Sequence, residues 1–261
     1  MFKLNFKINK IYLYAQIIKQ AKFLGKQGET LENRLWEKSK IVYSMISGIC
    51  YDRVASNITV KNSTIKSFSK NLSKNIELIR EILDQELNSI EFIEIYKETE
   101  NYKKETKKQW EKNRELSLKH LRDITGLKLL NATLSVYLVH PSLHDGRYWG
   151  DNIITWGHRE NWKNYTTVYL CHEIMHFLTK DYTGDKKSLH ALIELACDNE
   201  LRIRLNQSGK YFREGKFRIG HESLQKLEKK ILPQWRQYLQ DRKRGKLDIL
   251  DLSKELDSMT S

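Results

Sequence analysis

The sequence predicts a mainly α protein of the α+β kind: a helical N-terminal region, a small β-ribbon or sheet, two helices that carry a polar constellation, and a helical C-terminus. Three observations support this. Apolar residues recur at three- and four-residue spacing over long stretches. Only 2 prolines and 12 glycines punctuate 261 residues, which leaves few breaks. β-Branched and aromatic residues concentrate in two short runs, both after Gly126. The chain is long enough to bury a sizeable core.

Residues 31–55 and 63–123 read as helices, with Ile76, Ile79, Leu83, Leu87 and Ile90 forming one apolar stripe. The charged stretch KETENYKKETKKQWEKNREL, 97–116, has few apolar anchors and reads as an exposed continuation of a long helix, with a flexible linker as the alternative. Thr133 to His140, TLSVYLVH, and Ile153 to Trp156 read as strands. Between them PSLHDGRYWGDN supplies Pro141, Asp145, Gly146 and Gly150, residue types that turns need, so a hairpin or ribbon is expected. Residues 164–179 form the next helix, capped by Asn164 or Thr166, with Val168, Cys171, Met175 and Leu178 as its buried stripe. After a break at Lys180 to Lys187, Ser188 is expected to cap a helix running to about Asn206, and one or two C-terminal helices follow Gly209. The consequent division is 1–125, a helical N-terminal region; 126–225, a core carrying the constellation; and 226–261, a helical C-terminal segment.

Composition excludes several classes. Cys50, Cys171 and Cys197 cannot all pair and show no CxxC spacing, which argues against a disulfide framework or a cysteine zinc module and for a reducing, cytoplasmic compartment. The N-terminal MFKLNFKINKIYLYAQIIKQ is interrupted by lysines, unlike a signal peptide, and no window of eighteen apolar residues suggests a membrane span. Lys and Arg outnumber Asp and Glu by 46 to 33, giving +13. That balance favours phosphate backbones, anionic surfaces or acidic peptides, but the acids interleave with the bases, so an ordinary solvated surface is preferred to a nucleic-acid face.

The chemistry concentrates in YLCHEIMHFL, residues 169 to 178. On a helix, residues four apart differ by about 40° around the axis and about 6 Å along it, so His172 and His176 project from one face and can reach one ion. Glu173 sits about 100° away, beside such an ion, where its carboxylate can take a proton from zinc-activated water. The following helix, SLHALIELACDNELRIRLN, places Glu194 and Asp198 four apart on one face, with His190 one turn earlier. Glu194 is the preferred third ligand. Asp198 can receive the N–H of a ligand histidine, His172 being the expected one, and fix its tautomer. His190 is an alternative ligand. Glu200 is a weaker one, expected to face solvent or Arg204.

With these residues in view, the chain resembles the gluzincin metallopeptidases, the group containing thermolysin and the membrane alanyl aminopeptidases. The resemblance rests on His172, Glu173, Ile174, Met175 and His176, followed by Glu194 in the frame ELACD, and covers about residues 133–206. It implies a zincin-like core at 126–225, zinc on His172, His176 and Glu194, Glu173 as general base, and Asp198 supporting a histidine. The interval to Glu194 is one or two residues shorter than in that group. The resemblance also implies an edge strand for an extended peptide, which points to NIITWG with Asn152, Ile154 and Trp156, a plain packing strand being the alternative. It further implies a downstream transition-state donor, for which Tyr211 and His221 lie in the right region; packing for Tyr211 and a surface role for His221 are the alternatives. The HExxHxxGxxH pattern fails at Thr179 and Tyr182.

His140, His144, Asp145, Asp151 and His158 also cluster in sequence, but their spacing matches no ligand pattern and ordinary turn polarity is the default reading. Cys171 and Cys197 are expected to pack the two site helices together. The function expected is a zinc-dependent peptidase acting on a peptide or protein substrate, acidic ones being favoured by charge. The alternative is a basic helical protein that binds nucleic acid or another partner and in which HExxH is coincidental or non-catalytic.

Overall fold

A computed structural model of the chain describes residues 2–49, 70–243, 245 and 247–260. The fold is mainly helical with a small mixed sheet, as the periodicity predicts. Cys50, and the parts of the two expected N-terminal helices that fall within 50–69, lie outside the described residues. Among the described residues no helix is long and apolar enough to cross a membrane.

The chain forms two compact units, each assembled from separated segments: Leu4–Glu105 with Leu134–Arg159, and Met1–Lys3 with Thr106–Thr133 and Glu160–Ser261. This differs from a division into three consecutive segments at 125/126 and 225/226. The reason is a single 36-residue helix that contributes residues to both units.

The first unit contains β1 (Lys3–Lys7, less its first residue), α1 (Lys10–Lys19), α2 (Gly25–Lys38), α3 (Lys40–Ile49), α4 (Lys70–Leu87) and the start of α5 (Ile90–Thr125). It also contains β2 (Thr133–Leu138, less its first residue), β3 (Asp145–Gly150) and β4 (Ile153–Gly157). Asn9 starts α1 by accepting the backbone N–H groups of Ile11 and Tyr12. Every residue from Tyr12 to Ile18 is buried, so α1 is the centre of a core shared with Leu31, Leu35, Val42, Ile46, Ile79, Phe92 and Ile95. The stripe expected to run unbroken through Ile90 stops short. The chain turns at Asn88 and Ser89, Ser89 donates its hydroxyl to the Glu86 carbonyl, and Ile90 is 69% exposed. From there α5 continues through the charged stretch 97–116 as a helix, as expected, but not as an exposed one: Thr99, Tyr102, Thr106, Trp110 and Asn113 step by three and four and are buried.

The sheet order is β1-β2-β4-β3, with β2 and β4 parallel and β3 and β4 antiparallel. The two sequence-legible strands are therefore parallel neighbours and not the arms of a hairpin. The hairpin partner of β4 is β3, which lies inside the segment expected to be only turn. Asp151 and Asn152, both with positive φ, make the two-residue connection that such a hairpin favours.

The second unit contains the rest of α5, α6 (Tyr165–Leu178), α7 (Lys186–Glu194), a π-helical turn (Leu195–Leu201), α8 (Arg202–Asn206), a two-residue ribbon of β5 (Arg213–Glu214) and β6 (Phe217–Arg218), α9 (Gln225–Lys243) and α10 (Ile249–Thr260). Helix α7 starts on Asp185, which accepts the N–H groups of Lys187 and Ser188. Ser188, the residue expected to cap, instead donates its hydroxyl to Asp185. Arg202 is fully buried, donating to the carbonyls of Asp198 and Lys210 and pairing with Glu214, which ties the ribbon to the helix that precedes it.

Candidate metal centre

Helix α6 delivers the two motif histidines. Asn164 occupies the capping position but in a left-handed conformation, and its side chain makes no cap bond. It bridges Asn113 and Asn206 instead. The first N–H groups of α6 are taken by side chains from elsewhere: Glu160 accepts from Thr166, and Gln109 accepts from Thr167. The helix is buried from Tyr165 through Met175 except at Tyr169, so His172 and Glu173 are held inside the protein, 2% and 7% exposed.

The helix after α6 does not continue as a regular α-helix. After Glu194 it widens into the π-helical turn, where the Asn199 side chain donates to the Glu194 carbonyl and accepts the Phe212 N–H. Such widened turns concentrate at functional sites. Glu194 and Asp198, both completely buried, lie on either side of its start.

His172 Nε2 and His176 Nε2 lie 3.1 Å apart. Two nitrogens bound to one zinc at about 2.0–2.1 Å in tetrahedral geometry are about 3.3 Å apart, so this pair is spaced for a shared cation. The other ring nitrogen of His172, Nδ1, lies 3.0 Å from Asp198 Oδ1. Burial opposes charge on His172, but the Asp198 carboxylate, with Glu173 and Glu194, outweighs it and raises the imidazolium to about 9. His176 is driven down to about 2 by burial and by the positive charge of His172. With Asp198 on Nδ1, the Nε2 of His172 faces the Nε2 of His176.

The residue whose ligand atom gathers with those of His172 and His176 is His190, all three lying within 4.8 Å of one another. Glu194, preferred from the sequence, is at the cluster but turned toward His221. Its carboxylate accepts the His221 backbone N–H at 2.7 Å and pairs with the His221 ring. His190, Glu194 and His221 form a second group within the same distance limit. Ring centroids of His190 lie 4.9 Å from His176, 5.4 Å from His172 and 5.1 Å from His221. Burial, then the charge of His172, holds His190 at about 4, so it is neutral near pH 7 and able to ligate. Glu173 belongs to neither group among the described residues.

Other expected site residues lie elsewhere. The Tyr211 hydroxyl donates to Glu200 and accepts from the Trp235 indole, so its polar valences are taken up in packing, and Glu200 also pairs with Arg204. The strand expected to receive a peptide, β4, is flanked on both sides by β2 and β3. Ile154 and Trp156 are buried, and the Asn152 carbonyl accepts the Ser135 N–H. A strand with both edges paired cannot add a peptide strand, and the packing alternative describes it.

Three features have no forerunner in the motif reading. Glu228 on α9 is completely buried against the Glu194 carboxyl and is raised to about 9 by burial and by Glu194. Gly220 has positive φ, and a Cβ there would collide with Glu194 Oε2. Tyr169 is held well above its usual range, by burial and by the nearby Asp198. The signal for Glu228 was in the sequence: Glu228, Ile231, Trp235 and Tyr238 are the buried residues of α9 and step by three and four, so a glutamate occupies a core position in an apolar stripe.

The hairpin histidines behave differently. His140 bonds Glu98 at 2.9 Å and accepts the Ser142 N–H. His144 and His158 pack edge to face with centroids 5.2 Å apart, and Asp145 accepts the Tyr12 hydroxyl at 2.7 Å. None of them belongs to a ligand group among the described residues. Cys171 and Cys197 are free and fully buried, and burial pushes both thiols upward. In comparisons with known proteins, no family model matches the chain and neither a curated protein nor a solved structure matches it.

Proposed function

We propose that this chain is a zinc-dependent peptidase whose metal rests on His172 and His176. The observation that carries the reading is the 3.1 Å approach of their Nε2 atoms, with Asp198 on the far nitrogen of His172. His190 is the third donor as the side chains stand, and Glu194 is the donor that the gluzincin resemblance implies; both lie within one helical turn of each other on α7. Zinc, when bound, acts as a Lewis acid toward water and toward the substrate carbonyl, lowering the pKa of water to about 7. Asp198 then keeps the Nδ1–H tautomer in place and leaves Nε2 free as a donor atom.

Glu173 accepts the proton of the attacking water and returns it to the leaving amine as the peptide C–N bond breaks. His221, whose backbone N–H and ring are both held by the Glu194 carboxylate and whose imidazolium is favoured chiefly by the ring's hydrogen bond to Glu194, suits stabilisation of a developing oxyanion. A net charge of +13 favours acidic peptides as substrates.

The test separates binding from turnover. Glu173→Gln should keep a near-stoichiometric metal content and lose hydrolysis of a peptide library by about a hundredfold or more, the usual scale of general-base loss. Undiminished hydrolysis in that variant would remove the assignment, and so would an unaltered protein that binds no zinc.

A further inference from the structure

We propose that the metal rests on three histidines, His172, His176 and His190, and that Glu194 is not a ligand but a positioning residue that fixes His221 beside it. This deepens the peptidase reading and rests on its claim that His172 and His176 share a metal. It departs from the ligand set that the gluzincin resemblance implies.

Two histidines leave a catalytic zinc one protein ligand short of the usual three. His190 and Glu194, one turn apart on α7, are both at the cluster, and what each already holds separates them. The Nε2 atom of His190 is enclosed and has no hydrogen-bond partner among the described residues. It lies 3.7 Å from Glu194 Oε1, beyond hydrogen-bond reach. A buried ring nitrogen left unpaired is costly and uncommon. A cation shared with His172 and His176, whose ligand atoms gather with one of its own within 4.8 Å, would occupy it.

Glu194 is in the opposite state. It is completely buried, Oε2 accepts the His221 backbone N–H at 2.7 Å, Oε1 pairs with His221 Nδ1, and the Glu228 carboxyl hydrogen-bonds it from α9. Gly220, with positive φ, lies so close to Oε2 that a Cβ there would strike it. To turn toward a metal, this carboxylate would leave those donors unpaired. Its grip on both the backbone and Nδ1 sets the orientation of the His221 ring, which is exposed and stands 5.1 Å from His190 and 6.2 Å from His172 between centroids. With Nδ1 engaged, Nε2 is the ring nitrogen left to meet a substrate.

The experiment strips the full chain with a chelator, titrates unaltered protein, His190→Ala and Glu194→Gln with Zn²⁺, and records X-ray absorption of the zinc-bound unaltered chain. His190→Ala should weaken zinc by more than the about 100-fold that an outer partner costs, and Glu194→Gln, the same shape, by less than about tenfold. Absorption should count three imidazoles. In peptide hydrolysis Glu194→Gln and His221→Ala should each lower kcat with KM little changed, and the double variant should lose no more than either alone, because one acts through the other. Zinc kept by His190→Ala, zinc lost by Glu194→Gln, a carboxylate in place of the third imidazole, or additive losses in the double variant would each overturn the proposal and leave the peptidase reading standing. An unaltered chain that binds no zinc removes both.

Discussion

Two regions of this protein are rich in histidine, and they use it in opposite ways. On α6, α7 and the segment before α9, four imidazoles face one another over buried carboxylates, and the Nε2 atoms of His172 and His176 point at each other. In the β-hairpin, His140, His144 and His158 are as close in sequence, yet they gather in no ligand group among the described residues: His140 bonds Glu98, and the other two pack against aromatic rings. Residue type and density do not distinguish a ligand cluster from packing. What distinguishes them is whether the ligand atoms converge, and convergence at i, i+4 on one helix follows from helix geometry alone.

The sharpest contrast comes from deleting one imidazole in each region. His176→Ala removes one of two nitrogens spaced for a single ion and should abolish zinc retention. His144→Ala should leave the metal count unchanged, which elemental analysis of both proteins checks. A smaller effect is expected from Asp198→Asn, which keeps the shape but loses the carboxylate on His172 Nδ1. Metal affinity should fall about 10- to 100-fold, read by competition with a chelating dye. Equal loss from Asp198→Asn and His176→Ala would erase the distinction between holding a metal and orienting its ligand.

An effect on stability and not on metal binding belongs to the hairpin. Burial, with the charge of His144, holds His158 at about 4, against an ordinary 6.5. Its neutral form is favoured by folding, so this contribution is complete above about pH 6.5 and is lost as pH falls toward about 4, amounting to no more than about 3 kcal/mol. Urea denaturation across that interval should show stability falling with pH, and His158→Phe should flatten the slope. A slope unchanged by the substitution would mean that His158 titrates normally in the folded protein.

Much of this was legible in the sequence. The period-3.6 patterns located α6 and the stretch of α4 and α5, though not the break between those two, and β-branched runs located β2 and β4, because apolar periodicity is fixed by burial. The approach of His172 and His176 followed from four-residue spacing, and the pairing of His172 with Asp198 was expected of a carboxylate that supports a ligand histidine. What stayed hidden depended on contacts distant in sequence or on irregular backbone. DGRYWG has little strand propensity, and β3 exists because its hairpin pairs with β4, which in turn makes β4 an inner strand. The π-helical turn has no sequence pattern of its own. Glu194, the preferred third ligand and the one the gluzincin resemblance implies, engages His221 from a distant segment. Glu228 was visible as a core-position glutamate, but nothing in one chain says which buried acid it will meet.

The two cysteines flanking this site carry a consequence for its chemistry. Cys171 and Cys197 are interleaved with His172 and Asp198 in the chain, and both are sealed from solvent with their thiols pushed upward. Thiolates are the reactive form, so neither sulfur competes with the imidazoles for a soft ion or meets an oxidant while the helices stay shut. Exposure of either one would report the moment when α6 and the π-helical turn part.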